Sequence, residues 1–148
     1  MADIMSPQAR SARMASIRQK GTAPELRLRS ALHRRGLRFR VNVRGLPGSP
    51  DIVLARWGVA VFVHGCFWHG HGCAAGRPPA SRQAYWLQKL ADNQRRDARK
   101  ARALRRLGWH VFTVWSCQLA NPALTERTSD RLVRRILATG PDSGNGCA

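Results

Sequence analysis

Residues 61–73 read VFVHGCFWHGHGC, and this segment constrains the fold more than any other stretch of the chain. A run of apolar, mostly β-branched residues, which is typical of a buried strand, stops at His64. Two cysteines, two further histidines and a Phe-Trp pair follow at once. Surface turns favour Gly, Pro, Asn, Asp and Ser rather than large aromatic side chains. Packing alone does not explain this mixture, so we expect the strand to end in a loop with a chemical role.

The charge of the chain indicates a polyanionic partner. Its 148 residues include 26 Lys and Arg but only 8 Asp and Glu, which gives a formal net charge of +18. An excess of this size most often serves nucleic-acid binding. A basic surface that merely keeps a protein soluble usually mixes both signs. A membrane surface is the weaker alternative, because binding there needs an amphipathic anchor or a lipidation signal.

The sequence predicts a cytoplasmic protein. Its N-terminal residues lack the long apolar core of a secretory signal. No apolar stretch approaches the roughly 20 residues that span a bilayer. Thiols stay reduced in the cytoplasm, so clustered cysteines indicate a metal site or catalysis before they indicate disulfides.

The order of apolar and helix-breaking residues predicts a single α/β domain over residues 1–138, with a mixed central sheet flanked by helices. Residues 1–20 are expected to form a basic arm or short helix. The next helix should be capped by Thr22, with Glu25 at the capping-box position, and should end at Gly36. Strands are expected at residues 37–43, 51–55, 59–63 and 109–115, and further helices at 81–107 and 122–137. Residues 139–148 are polar and Gly-rich and are expected to be a disordered tail.

Three cysteines and one histidine form a candidate zinc site: Cys66, His71, Cys73 and Cys117. Thiolate and imidazole ligands together suit Zn²⁺ in a closed tetrahedral structural site. The spacing is irregular, and Cys117 comes from the end of a distant strand. Alternatively, Cys117 is simply a buried thiol, as many free cysteines are. An ion held by all four would fix the loop after strand 59–63 to the end of strand 109–115.

Four further residues are candidates for phosphodiester chemistry. Asp51 precedes a short strand, where a carboxylate in a very basic protein can bind Mg²⁺, although turn chemistry explains a Pro-Asp pair equally well. His69 can take a proton from an attacking water, and His64 can stabilise or polarise a phosphate. Each histidine can instead have a structural hydrogen-bonding role. Asp97, an acid within a basic helix, either orients a histidine or forms i,i+4 pairs with arginines.

Phe67 and Trp68 can belong to the core or contact DNA. Their position in a turn favours exposure, and exposed aromatics in a basic protein stack on bases. Opening a base step costs a few kcal/mol, and less at a mismatch, whereas stacking returns about 1–3 kcal/mol per base. The pair can therefore favour mismatched over intact DNA. Residues 95–106, the basic half of the long helix, are expected to contact phosphates and to make binding salt-dependent.

Five motifs together resemble the very short patch repair (Vsr) family of DNA mismatch endonucleases. They are HGCFWH at residues 64–69, LPGSPD at 46–51, WLQKLADN at 86–93, LGWHV at 107–111 and VWSC at 114–117. The resemblance runs from about residue 8 to residue 137. It implies a fold related to type II restriction endonucleases. It also implies a reaction that nicks one strand on the 5′ side of the mispaired thymine in T·G mismatches, which arise when 5-methylcytosine deaminates.

The resemblance further implies partners and a setting. The substrate would be double-stranded DNA with a T·G mismatch, in the nucleoid of a prokaryote. A cytosine-5 DNA methyltransferase, a repair polymerase and a ligase would act in the same pathway. Nicking of a single strand is compatible with a monomer.

Catalytic roles follow from the resemblance position by position. Asp51 and the main-chain carbonyl of Val63 would bind Mg²⁺, and His69 would be the general base. His64 would support the scissile phosphate. The two remaining acids, Glu25 and Asp97, would help to place the water and the histidine.

The resemblance also assigns the metal scaffold and the DNA contacts. Structural zinc would be held by Cys66, His71, Cys73 and Cys117. Phe67, Trp68 and Trp86 would form a wedge that enters the duplex beside the mismatch. Met14 would meet the duplex from the other groove, and Lys89 and Asn93 would read neighbouring bases.

The chain departs from the family pattern in two places. Position 63 is valine where a well-known member has threonine, which is harmless if only the carbonyl binds metal. The second acid and the lysine of restriction enzymes are absent from residues 60–63, and a histidine base would replace that lysine. Glu25 is also explained by its capping-box position alone.

Three alternative functions remain open from the sequence. A zinc-containing DNA-binding module without catalysis would need the cysteines and the basic helix but not Asp51 or His69. A restriction-type endonuclease would cut both strands of an unmismatched site. An RNA-binding protein would account for the charge equally well.

Overall fold

A computed structural model describes residues 22–140, which are organised around a four-stranded sheet. The strands are β1 (Arg40–Val41), β2 (Ile52–Leu54), β3 (Val59–His64) and β4 (His110–Trp115). They lie in the order β1-β2-β3-β4. The first two pairs are antiparallel and the pair β3–β4 is parallel. The predicted mixed sheet is confirmed.

Three helices of the described chain cover the two faces of this sheet. They are α1 (Ala23–Arg34), α2 (Gln83–Arg106) and α3 (Pro122–Thr139). The larger apolar core joins α1 and α3 to one face, through residues that include Leu28, Leu32 and Ile136. The smaller core joins α2 to the other face through Leu104. Since parallel strands need a crossover connection, α2 serves as the link between β3 and β4.

The alternation of side chains along β3 decides where the strand's last residue points. Val59 and Val61 pack into the core with α1 and α3. Ala60 and Phe62 face the opposite way, into the core with α2. Side chains alternate between faces with a period of two residues. His64 therefore lies on the α2 face, where the functional side chains of that helix can reach it.

Several predicted boundaries were wrong by one or more residues. The strand expected at residues 37–43 is reduced to two residues. Asn42 takes a left-handed conformation (φ 51°), which ends the strand after Val41. Ala55 leaves the sheet and begins a 3₁₀ turn, Ala55–Trp57. Thr22 does occupy the N-cap position of α1, but it makes no side-chain capping hydrogen bond. The predicted position of the cap is therefore correct, but the predicted side-chain hydrogen bond is not formed.

The last helix is longer than the sequence predicted. The last helix runs through Thr139, two residues beyond the predicted end. The predicted arm at residues 1–20, with Met14, lies outside the described residues, as does the tail from residue 141. The domain limits of 1–138 therefore stay a prediction. Between residues 22 and 140, no helix has both the length and the apolar character needed to cross a membrane.

Candidate active site and metal cluster

A cleft of about 580 Å³ opens where β3 ends, between the start of α1 and one face of α2. All the residues that the sequence predicted for catalysis line this one cleft, together with three of those predicted to contact DNA. They are Glu25, Asp51, Val63, His64, His69 and Asp97, with Trp68, Lys89 and Asn93. These residues come from four separate segments, so the fold brings them together.

Asp51 and Val63 meet at the edge between β2 and β3. Asp51 is only 5% exposed, and its carboxylate Oδ2 accepts a hydrogen bond of 2.7 Å from the main-chain N–H of Val63. In an extended strand the N–H and C=O of one residue point to the same side. The Val63 carbonyl is therefore directed toward the same edge as the Asp51 carboxylate. Two oxygen donors side by side suit a hard cation such as Mg²⁺.

His64, His69 and Asp97 form a second group in the cleft. The Nδ1 atom of His69 lies 2.5 Å from Asp97 Oδ2, and Asp97 Oδ1 lies 4.0 Å from His64 Nε2. The two imidazole rings stack with centroids 3.9 Å apart and planes 6° apart. Because a carboxylate only accepts hydrogen bonds, Asp97 keeps the proton of His69 on Nδ1 and leaves a lone pair on Nε2.

His64 differs from His69 in its burial and in its protonation. Burial, with smaller contributions from the charges of His69 and Lys100, lowers the pKa of His64 to about 4, although Asp97 acts in the opposite direction. At neutral pH the His64 ring is therefore uncharged. A neutral imidazole can donate one hydrogen bond to a phosphate oxygen, but it brings no positive charge to it.

Four potential metal ligands converge on the other side of the loop, as the sequence predicted: Cys66, His71, Cys73 and Cys117. One ligand atom from each lies within 4.8 Å of the others. Cys117 Sγ and His71 Nδ1 are 3.7 Å apart, and the His71 ring stacks on Trp115 with centroids 4.2 Å apart. Three sulfurs and one imidazole nitrogen at these separations can hold a metal ion, and this set of donors suits tetrahedral Zn²⁺.

The cysteines of this cluster hold their protons unequally. Burial acts to raise the pKa of Cys66, but hydrogen bonds from the Ser116 hydroxyl (3.2 Å) and the Cys117 N–H (3.4 Å) outweigh it and lower the pKa. Burial, with the hydrogen bond and charge of Cys66, raises the pKa of Cys117 to about 12. A metal ion must displace the remaining thiol protons, so its affinity will depend on pH.

Three half-buried aromatic rings pack together where the loop meets the start of α2. The ring centroid of Phe67 lies 5.0 Å from that of Trp68 and 5.2 Å from that of Trp86. The centroids of the two tryptophans are 6.2 Å apart. Tyr85, which is 46% exposed, extends the cluster through an edge contact with Trp86. The rings are neither core nor isolated surface groups. Their contact with DNA stays a prediction.

Two side chains of α2 hold this loop in position, and sequence reasoning missed one of them, Gln94. The Gln94 amide donates to the main-chain carbonyls of Gly70 (3.1 Å) and His69 (3.4 Å). Asn93, which the sequence predicted as a base reader, donates to the Trp68 carbonyl at 2.7 Å. Gln94 lies three residues before Asp97, so its helical spacing to a predicted catalytic acid was the available signal.

Glu25 and Ser116 also line the cleft. Glu25 is 1% exposed and forms an ion pair of 3.1 Å with Arg29, one turn along α1. It can therefore be structural, catalytic or both. Ser116 was not predicted: its hydroxyl accepts from the Cys66 N–H at 3.1 Å and so joins the end of β4 to the end of β3.

Comparison with known proteins gives this geometry a family. The family model described as DNA mismatch endonuclease Vsr matches residues 2–75, half of the chain. The chain is 43% identical to DNA mismatch endonuclease Vsr of Escherichia coli, over 88% of this chain and 87% of that protein. It is 49% identical to type II nicking enzyme V.XorIIP of Xanthomonas oryzae, over 82% and 89% of the two chains. With V.NmeAIP of Neisseria meningitidis, a type II nicking enzyme, it shares 41% identity over 92% and 97%.

These matches agree with the site. The matched family and the relatives are named for the cutting of DNA, and the cleft unites acids and histidines that can hydrolyse a phosphodiester. The chain belongs to the Vsr family of DNA mismatch endonucleases, and the protein is a DNA endonuclease.

Proposed function

We propose that this endonuclease nicks one strand of DNA on the 5′ side of the mispaired thymine in T·G mismatches left by deamination of 5-methylcytosine. One observation carries the proposal. Asp51, His69 and Asp97 line a single cleft, with Trp68 of the aromatic cluster on its wall. The residues proposed for catalysis and an aromatic ring that could stack on DNA bases therefore lie in the same cleft. Relatives named for mismatch cleavage and for nicking support this assignment.

The Asp51 carboxylate and the Val63 carbonyl would bind the catalytic Mg²⁺. Mg²⁺ often uses one or two protein oxygens and keeps waters or phosphate oxygens in its other positions, which fits a pair of this kind. When bound, the ion would stabilise the negative charge that builds up on the phosphate during hydrolysis. A valine at position 63 is compatible with this role, because the ligand is a main-chain atom.

His69 would act as general base. Its Nδ1–H donates to Asp97, so Nε2 is the atom that takes a proton from the attacking water. Asp97 holds the ring in this tautomer and stabilises the imidazolium that forms. The neutral His64 ring would donate a hydrogen bond to the scissile phosphate. Glu25, buried at the base of the cleft, would help to place the water.

The aromatic cluster would recognise the mismatch. Phe67, Trp68 and Trp86 would enter the stack beside the T·G pair, where opening a base step costs less than in intact DNA. Lys89 and Asn93 on the cleft side of α2 would read bases next to it. Met14, outside the described residues, would approach from the other groove.

A structural Zn²⁺ would be bound by the Cys66, His71, Cys73 and Cys117 cluster. It would fasten the loop after β3 to the end of β4 and so fix the positions of His64, His69 and the aromatic rings. The ion would take no part in the reaction itself. Zn²⁺ is the expected metal because its structural sites are four-coordinate and rich in thiolate.

The proposed setting follows from the reaction. T·G mismatches of this origin arise where a cytosine-5 DNA methyltransferase acts. After nicking, a polymerase must replace the mispaired nucleotide and a ligase must reseal the strand. All the relatives compared above are bacterial, so we place the reaction at the DNA of the cytoplasm. A monomer suffices, since one strand is cut.

The deciding experiment is a strand-specific nicking assay. Zinc-loaded protein is incubated at low salt with Mg²⁺ and duplexes that carry a T·G pair or a T·A pair, each strand labelled separately. We expect a single nick, in the T strand of the T·G duplex only. Intact strands, or equal nicking of both duplexes, would refute the proposal. Linear product from a supercoiled plasmid would instead indicate an enzyme that cuts both strands.

Asp51→Ala is the matched control. We expect it to bind the T·G duplex and to leave both strands intact, because the metal loses its carboxylate ligand. Normal nicking by this variant would remove Asp51 from the catalytic site.

A further inference from the structure

Helix α2 presents a row of cations to the cleft. Lys89, Arg96 and Lys100 line it, with Asn93 between them. Their spacing of four, three and four residues places them on one face of the helix. Lys89 and Arg96 are exposed, whereas Lys100 is half-buried. Lys100 is therefore held by the protein to a greater extent than the other two cations.

The aliphatic part of the Lys100 side chain packs against a glycine, Gly48. A Cβ atom added at Gly48 would lie 2.8 Å from each of Cβ, Cγ and Cδ of Lys100. The aliphatic stem of the lysine thus lies against bare backbone, in the turn that leads to Asp51. Gly48 also has φ +75°, a conformation that disfavours other residues. The turn at Gly48, which precedes the predicted metal ligand Asp51, therefore has a shape that accommodates the Lys100 side chain.

The charged end of Lys100 belongs to the catalytic part of the cleft. Lys100 lines the cleft together with Asp51 and His64. Lys89 lies at the other end, with its ammonium 6.0 Å from the ring centre of Tyr85 in the aromatic cluster. Position along α2 thus separates a cation near the chemistry from a cation near the wedge.

A cation at this position would favour the binding of a phosphate. The described wall of the cleft contains three carboxylates, Glu25, Asp51 and Asp97, which repel a phosphodiester. An ammonium group can offset this repulsion and stabilise the extra charge of the transition state.

We propose that Lys100 is a catalytic residue whose ammonium binds the scissile phosphate and stabilises the charge that builds on it. The proposal rests on the nicking reaction proposed above and adds to it a cation that residues 60–63 do not supply. The water oxygen forms the new bond to phosphorus, and its proton goes to His69. The bond from phosphorus to the leaving oxygen breaks, and that oxygen keeps the electron pair and takes a proton from bulk water. Lys100 keeps its own protons throughout.

Lys100→Met tests this role, because methionine keeps an apolar stem for Gly48 and removes only the charge. Single-turnover nicking of the T·G duplex is measured with Mg²⁺ and saturating protein. We expect the rate to fall by about 10²-fold, as for the loss of one group that stabilises a transition state. Lys100→Arg should recover part of this loss. Arg134→Met removes an exposed charge from α3, far from the cleft, and should leave the rate unchanged.

Affinity and salt dependence distinguish catalysis from simple phosphate binding. If Lys100 only contacts a DNA phosphate, Lys100→Met should lower affinity and reduce the salt slope by about 0.9 without slowing the saturated reaction. A Lys100→Met rate within about threefold of wild type at saturation would therefore overturn the proposal. If wild-type protein leaves T·G duplexes intact, the proposed substrate is wrong, and the same comparison is made on the DNA that the enzyme does cut.

Gly48→Ala provides an independent check that Gly48 positions the Lys100 side chain. The new methyl group should displace the Lys100 stem and slow nicking in wild-type protein, yet add little to the loss in Lys100→Met. Thermal melting of each variant separates this effect from strain in the turn. Equal slowing by Gly48→Ala in both backgrounds would show that the glycine does not position Lys100.

Discussion

The hydrogen bond between His69 and Asp97 makes Asp97→Asn a sharp test of the proposed mechanism. The bond is 2.5 Å long, and it determines which nitrogen of His69 carries the proton. Asparagine keeps the shape of the side chain but can turn its NH₂ group toward Nδ1. The proton would then sit on Nε2, which could no longer accept a proton from water. We expect the variant to fold, bind DNA and nick slowly.

The size of the loss follows from two contributions. A hydrogen bond to a charged group contributes about 1.5–3 kcal/mol, which corresponds to roughly 10- to 150-fold in rate if it acts only on ring orientation. Loss of the correct tautomer adds to this, and the analogous change in a serine protease costs about 10⁴-fold. The side chain of His69 is 26% exposed, so water can restore the active tautomer in a fraction of molecules. We therefore expect a loss of about 10³-fold, or about 4 kcal/mol of transition-state stabilisation.

The assay compares Asp97→Asn, His69→Ala and the double variant in single-turnover nicking of a T·G duplex. Two residues that act as a unit give losses that do not add, so the double variant should be no slower than His69→Ala. Zinc content and DNA affinity serve as controls for folding. An Asp97→Asn rate within tenfold of wild type, or fully additive losses, would refute a base that depends on Asp97.

Three further predictions concern the metal, the wedge and pH. Purified protein should contain one equivalent of zinc, and Cys117→Ser should lose it together with several degrees of melting temperature; undiminished zinc content would exclude Cys117 as a ligand. Phe67→Ala with Trp68→Ala should reduce the preference for T·G over T·A duplexes by about 10- to 100-fold while general DNA affinity falls less; an unchanged preference would assign both rings to the core. Since the pKa of His64 is lowered to about 4 by burial, the unfolded chain takes up a proton near pH 6.5 and the folded one does not. Stability should then fall as pH falls from 6.5 to 4, by about 2 kcal/mol between pH 7 and pH 5. Denaturant unfolding of His64→Asn should lack this part of the pH dependence, and identical pH profiles of variant and wild type would contradict the burial argument.

The metal cluster was predictable because its residue types are chemically specific. Few environments other than a metal site bring reduced cysteines and histidines together. Cys66, His71 and Cys73 could therefore be predicted as metal ligands from their residue types. Distant Cys117 was predictable only because a strand was expected to end next to it. The mixed sheet and its flanking helices also followed from the sequence, and they correspond to the restriction-endonuclease-like fold of the Vsr family.

The remaining details depend on tertiary packing. A basic helix offers many cations, and the packing of its buried residues Leu90 and Leu104 decides which of them face the cleft. For this reason Lys100 could not be separated from its neighbours by sequence. The same holds for Gln94, whose partners are main-chain carbonyls of a loop. The strand at 37–43 failed because the local alternation could not anticipate the left-handed turn at Asn42.

The parallel pairing of β3 with β4 has a consequence for the order of folding. Cys66 and Cys117 are 51 residues apart and approach each other only after α2 has crossed the sheet. Contacts at such separation form late, because closing a long loop costs entropy before any contact compensates for it. A newly made chain would therefore complete the proposed zinc site only after the crossover has formed. Uptake of the ion would report that the topology is correct, and it would make the assembly of the nuclease site sensitive to the supply of zinc during synthesis.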